Sequence, residues 1–250
     1  MPQHDSIDRD RRAVLGAGGA LLLGAALWPA RAPAQTNSGA KRPIGVIGSG
    51  HIGGTIGALW VKDGHKVLFS SRHPAELMDM VTGLGALAQA GTVDQAIALG
   101  DVLFIAVPYG ALPQVGQDYG AALKGKIILD ACNAVPARDG NELFDEVEKN
   151  GIGVTSQKYL PGTKLVRAFN TLNYKIFASE ANRADPKLAI PLAGDDPDAV
   201  KIAAGLVRDA GFDPVVVGTL KDASRFQRGA PGYGQEVTAA ALRQKLSLAP

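Results

Sequence analysis

Residues 44–53 read Ile-Gly-Val-Ile-Gly-Ser-Gly-His-Ile-Gly, and no other ten residues of the chain restrict its fold as strongly. A short apolar run enters Gly48-x-Gly50-x-x-Gly53, and an apolar helical pattern begins behind it. Each glycine has its own physical task in a dinucleotide-binding turn. Gly48 permits the tight turn, Gly50 lets backbone approach a pyrophosphate, and Gly53 lets the helix pack close on the strand. The free N–H groups and positive dipole end of the helix then suit phosphate, with Ser49, His51 and Ile52 completing the turn. A second G-x-G at Gly16-Ala17-Gly18 follows no strand pattern and does not qualify.

That second copy lies in a segment of a different kind. Arg11-Arg12 opens an apolar run from Ala13 to Trp28, and Ala32-Pro33-Ala34 supplies a small-residue cleavage site. These are the parts of an export signal, and the paired arginines point to the twin-Arg route. The run carries four glycines and is shorter than the ~20 solidly apolar residues a membrane-spanning helix needs. Residues 1–34 are therefore expected to be a twin-Arg signal peptide, removed after Ala34, and the protein is expected to be exported, to the periplasm. The twin-Arg path carries folded proteins, so a nucleotide-binding chain would travel with its cofactor bound.

Composition narrows the partners. The formal net charge is +2 and falls to about +1 without the leader, which gives no electrostatic case for nucleic acid or a membrane surface. Cys132 is the sole cysteine, so there is no internal disulfide or cysteine metal cluster, and it reads as a small buried thiol. His4, His51, His65 and His73 are not spaced as a metal pair, and no metal is expected.

Strand and helix patterns alternate from residue 44 onward, which argues a doubly wound, mostly parallel α/β sheet. Strands are expected near 44–47, 66–70, 102–107, 126–130 and 165–168, with helices near 52–62, 92–99 and 111–123. Residues 78–91 are Gly/Ala-rich and stay open between strand and loop. The NADP-binding Rossmann domain is expected over residues 41–171. A small C-terminal α/β unit follows over 172–250, with strands at 188–193 and 213–217 and a helix started by Asp196-Pro197.

The second strand selects the dinucleotide. It ends Ser70-Ser71-Arg72-His73-Pro74, with no carboxylate for a free ribose 2′-hydroxyl. Ser71 and Arg72 suit a 2′-phosphate instead, so NADP is expected.

Ser71-Arg72, Ala106-Val107-Pro108, Asp130-Ala131-Cys132-Asn133 and Val166-Arg167-Ala168-Phe169-Asn170-Thr171 together resemble the coenzyme F420-dependent NADP oxidoreductase family. The nucleotide domain is similar also to that of the STEAP metalloreductases. The resemblance implies a Rossmann domain holding NADP, with a deazaflavin or another flavin as second substrate. It places the pyrophosphate at Ser49 to Ile52 and the 2′-phosphate at Ser71-Arg72. Val107, Pro108, Asn133, Ala168 and Phe169 would line the cofactor.

The residues themselves agree with hydride transfer. The strand ends around the expected nicotinamide are apolar or amide, and no His or Lys stands among them, so no catalytic acid or base is assigned. Two other readings stay open. An NADPH-dependent imine or carbonyl reductase needs a proton donor, for which Tyr109 and Tyr233 are the candidates. A non-catalytic NADP-binding module needs none. The expected partners are a small-molecule redox carrier, the twin-Arg translocase during export and a second copy of the chain, without nucleic acid or stable membrane insertion.

Overall fold

Continuous runs of Val, Ile, Leu and Phe become the buried centre of one eight-stranded sheet, seen in a computed structural model that describes residues 41–249. The stretch read as an export signal lies outside the described residues. Strands β1 (Ile44–Ile47), β2 (Val67–Ser70), β4 (Val102–Ile105) and β5 (Ile127–Asp130) are buried at every residue. Burial on both faces is what such unalternated sequences require. The other strands are β3 (Ala88–Gly91), β6 (Lys164–Arg167), β7 (Ala189–Gly194) and β8 (Asp213–Gly218). Their order is β3-β2-β1-β4-β5-β6-β7-β8. All neighbours run parallel except β6 and β7, which are antiparallel.

The helices are α1 (His51–Lys62), α2 (Met78–Leu84), α3 (Val93–Leu99), α4 (Leu112–Leu123), α5 (Pro136–Asp139), α6 (Asn141–Asn150), α7 (Ile152–Tyr159), α8 (Tyr174–Glu180), α9 (Pro197–Asp209) and α10 (Ala239–Lys245). Their starts are written locally. Thr92 and Gln95 form a reciprocal capping box on α3. Asp196 accepts from the Ala199 N–H at 2.8 Å, with Pro197 as the first residue of α9.

Successive residues along each strand feed opposite faces of the sheet. Val46, Phe104 and Leu129 join one core with Trp60, Phe169, Phe177 and Phe212. Ile47, Ile105 and Ile128 join the other with Leu112, Leu123, Ile152 and Phe226. Trp60 Nε1 donates to the Leu206 carbonyl at 2.8 Å and so ties α1 to α9. The segment after residue 172 adds β7 and β8 to the same sheet, and the described residues 41–249 belong to one compact unit. The open segment 78–91 resolves into α2 and edge strand β3. Ala-Gln-Ala-Gly has little strand propensity of its own, and β3 is held by its parallel ladder with β2. No described helix is long and apolar enough to cross a membrane.

Candidate functional site

The chain reverses direction across the sheet between β1 and β4, so a crevice opens outside their carboxyl ends, where ligands of open α/β sheets bind. The glycine turn leads from β1 into that crevice. Gly48 has φ +95°, and a Cβ there would lie 2.6 Å from the Ala106 carbonyl oxygen. A Cβ on Gly53 would lie 2.0 Å from the Gly48 oxygen, so the helix sits directly against the turn. At Gly50 the result is opposite: a Cβ would meet nothing within 4 Å. Two glycines are demanded by protein contacts, and the middle one faces open space at the start of α1. That is a fit for a phosphate group.

Around this turn, Ser49 Oγ donates to the Ser70 carbonyl at 3.0 Å and ties the loop to β2. His51 is exposed and its ring stacks on Tyr174 of α8, with centroids 4.2 Å apart and planes 10° from parallel. Ile52 is half-buried against the first core. A groove of about 660 Å³ starts at Ser49 and Gly50 and runs down α1 to Lys62, walled by Met80 and Tyr174. At the end of β2, Ser71 Oγ accepts from the His73 N–H at 3.1 Å, which leaves its own hydroxyl proton to donate. Arg72 is exposed and makes no hydrogen bond or ion pair among the described residues. Ser71 and Arg72 therefore follow directly on the carboxyl end of β2.

The loops after β4 and β5 are built differently. Val107 is half-buried and Pro108 exposed beyond β4, and Asn133 is half-buried beyond β5. Ala168 and Phe169 depart from the expectation that they line a cofactor. Both are fully buried, and the Phe169 ring packs edge-on to Trp60, Phe104, Phe177 and Phe212. Its φ of +60° is uncommon for a side-chain-bearing residue, and the surrounding aromatic core holds it there. Only its backbone is left for a ligand.

Beneath these ends lie polar groups that periodicity did not reveal. Asp130 and Arg167 are register partners on β5 and β6, both fully buried, and pair through Oδ2 and Nη1 without hydrogen-bond geometry. Asp130 Oδ1 also accepts from the Cys132 N–H at 2.8 Å, and Arg167 Nη2 donates to the Cys132 carbonyl at 2.6 Å. Burial, reinforced by Asp130, pushes the Cys132 thiol well above its ordinary pKa, so it stays protonated. Asp139 accepts from the N–H groups of Gly110 at 3.0 Å and Val135 at 2.8 Å. Arg138 grips the same carboxylate and donates to the Asn133 carbonyl at 2.6 Å. This clamp joins the loop after β4 to the loop after β5. The signals for these residues were present but faint: a charge ending each of two apolar strands, and an Arg-Asp pair before a glycine.

Tyr109 is fully buried, its hydroxyl 3.2 Å from Ser156 Oγ, and burial raises its pKa. Lys124 is exposed on the surface, apart from these strand ends. At the amino ends of the strands, Asp63, His65 and Asp209 bring ligand-type atoms within 4.8 Å of one another. Lys41 Nζ already contacts both carboxylates.

The family model described as NADP oxidoreductase, coenzyme F420-dependent, matches residues 43–134. Those residues hold strands β1 to β5 of the Rossmann-like sheet. Rat metalloreductase STEAP3 is 26% identical over 187 residues, covering 74% of this chain and 35% of its own. The chain spans less than half the length of the curated relatives it matches. Among solved structures, the hypothetical protein SMa0349 of Sinorhizobium meliloti superposes with TM-score 0.68 at 27% identity, covering 79% of this chain and 96% of that one. A structure from Arthrobacter sp. FB24, provisionally assigned as an F420-dependent NADP-reductase, gives TM-score 0.61 at 21% identity, with 74% and 88% covered. That second likeness carries the fold alone.

Proposed function

We propose that the domain binds NADP(H) across the β1/β4 switch point and exchanges hydride with a flat redox carrier, a flavin or the deazaflavin F420. The observation that carries the reading is the contrast among the three glycines: Gly48 and Gly53 are closed by protein, and Gly50 is open. The N–H groups from Ser49 to Ile52 would hold the pyrophosphate at the start of α1. Ser71 and Arg72 would hold the 2′-phosphate, one by a hydroxyl bond and the other by charge. Bound NADPH would supply the hydride. Val107 and Pro108 would exclude water on one side, with Asn133 beyond the end of β5.

No ionisable side chain is given a proton-transfer role; of the two tyrosine candidates, Tyr109 is committed elsewhere. Tyr109 is sealed against Ser156, which weakens the imine- or carbonyl-reductase reading and leaves Tyr233 as its donor. Turnover of added NADPH with a panel of flavins, deazaflavin, imines and carbonyls tests the proposal. Oxidation with a flavin-type acceptor supports it, and binding without turnover of any acceptor favours a non-catalytic module. Tyr109→Phe should change turnover little, because only a buried hydrogen bond of about 1 kcal/mol is lost. A 10²–10⁴-fold fall with NADPH binding intact would mark a general acid and overturn hydride exchange without one.

Export as a folded holoprotein belongs to the same proposal and rests on Arg11-Arg12 ahead of a nucleotide fold. Replacing both arginines by lysine should retain the precursor in the cytoplasm with nucleotide bound. Normal export of that variant would contradict it.

A further inference from the structure

Asn133 and Asn170 follow adjacent strands, β5 and β6, and their side chains interlock. Asn133 Nδ2 donates to the Asn170 backbone carbonyl at 2.7 Å. Asn170 Nδ2 faces two oxygens, donating to the Phe226 carbonyl at 3.2 Å and to Asn133 Oδ1 at 3.4 Å. These contacts fix both amide orientations, since turning Asn170 over would set its oxygen against two others. One atom is then left over. Asn170 Oδ1 is buried, in a residue only 2% exposed, and accepts no hydrogen bond. Buried carbonyl oxygens in folded proteins are almost always paired, and an orphan just past the carboxyl end of β6 calls for a donor brought from outside.

We infer that Asn170 is a specificity-determining residue whose side-chain oxygen accepts a hydrogen bond from the carboxamide –NH₂ of the nicotinamide. The inference rests on the NADP(H) reading and deepens it. Asn170 lies just past the carboxyl end of β6, among the strand ends where that reading sets the nicotinamide. The requirement is for an N–H or O–H donor, and the carboxamide is the donor on the ring itself. Asn133 is already engaged through both its amide nitrogen and its oxygen, so it serves as the brace. The left-handed turn at Phe169 sets up this arrangement, because it redirects the chain immediately before Asn170.

The test compares NADP⁺ with its 3-acetylpyridine analogue, in which a methyl replaces the carboxamide –NH₂ and every phosphate and ribose is kept. Affinities are measured by titration calorimetry on the full chain. The unaltered protein should bind NADP⁺ roughly tenfold more tightly than the analogue, the effect of one hydrogen bond to a buried acceptor. In Asn170→Ala the two affinities should converge, through weaker binding of NADP⁺. Asn170→Ser, whose hydroxyl is too short to replace the amide oxygen, makes the same comparison if the alanine variant unfolds. Equal affinities in the unaltered protein overturn the assignment without any variant, and would follow if a ribose hydroxyl or water were the donor. Discrimination persisting in a folded Asn170 variant overturns it as well. If NADP⁺ fails to bind the folded protein, the nucleotide reading falls and the assignment with it. If it binds and the analogue binds equally, only the role of Asn170 falls.

Discussion

The two halves of the crevice are built by opposite means. Around β1 and β2 the chain makes room: a positive-φ glycine, a helix packed directly on a turn, an open Gly50 and an exposed Arg72. Around β5 and β6 it removes room and buries charge, in the Asp130–Arg167 pair, the Asn133–Asn170 brace and the Asp139 clamp. The first half is disposed to meet phosphates in water. The second spends most of its polar groups on keeping the strand ends fixed and leaves Asn170 Oδ1 without a donor. Stability and ligand affinity should therefore respond to substitution in different places.

The largest effect expected is at the buried pair. Arg167→Met leaves the Asp130 charge unpaired between two strands, a loss of about 3–5 kcal/mol in folding stability. Chemical denaturation reads it directly, and the double variant Asp130→Leu with Arg167→Met should recover much of the loss. A cost well below 1 kcal/mol would show that the pair does not organise this half.

The glycine turn provides the contrast. Gly53→Ala forces a Cβ against the Gly48 oxygen and should cost about 1–3 kcal/mol of stability, with nucleotide binding lost. Gly50→Ala meets no protein atom and should stay within about 0.5 kcal/mol of the original stability. Its methyl would intrude only on a bound phosphate, so NADPH affinity alone should fall. Unchanged affinity in Gly50→Ala would mean that the turn does not hold a phosphate.

The smaller effect is at the clamp. Burial opposes the charge on Asp139, but Arg138 and the N–H groups of Val135 and Gly110 outweigh it and hold the pKa below the ordinary carboxylate value. A depressed folded pKa contributes stability that is present at neutral pH. That contribution fades once the pH drops below the unfolded value near ~3.9 and is gone below the folded pKa. Asp139→Asn should cost about 1–2 kcal/mol at neutral pH and flatten the acid end of the stability profile. An unchanged acid limb would remove the clamp from the account.

What the sequence disclosed follows the same division. The glycine turn was legible because backbone geometry there is set by residue type, and β1, β2, β4 and β5 were legible because strands buried on two faces are uniformly apolar. β3 was not, since Ala-Gln-Ala-Gly is a strand only by pairing with β2. Helices α5, α6 and α7 were also unread. They follow one another across single glycines at positive φ, Gly140 and Gly151, so no one periodic run spans them. The polar network needed the register of β5 against β6, which joins Asp130 to Arg167 across 36 intervening residues. Phe169 shows the limit most clearly. Its position beside the site was readable, but the direction of its ring depended on a left-handed backbone and four aromatic neighbours.

The central claim is that the open half of the crevice holds NADP(H) by its 2′-phosphate at Arg72. Titrating the full chain and Arg72→Ala with NADPH and NADH tests it most directly. The unaltered protein should prefer NADPH, and Arg72→Ala should lose about ten- to a hundredfold of NADPH affinity, about 1.5–3 kcal/mol, with NADH binding little changed. Equal losses for the two nucleotides, or no preference for NADPH at the start, would contradict it.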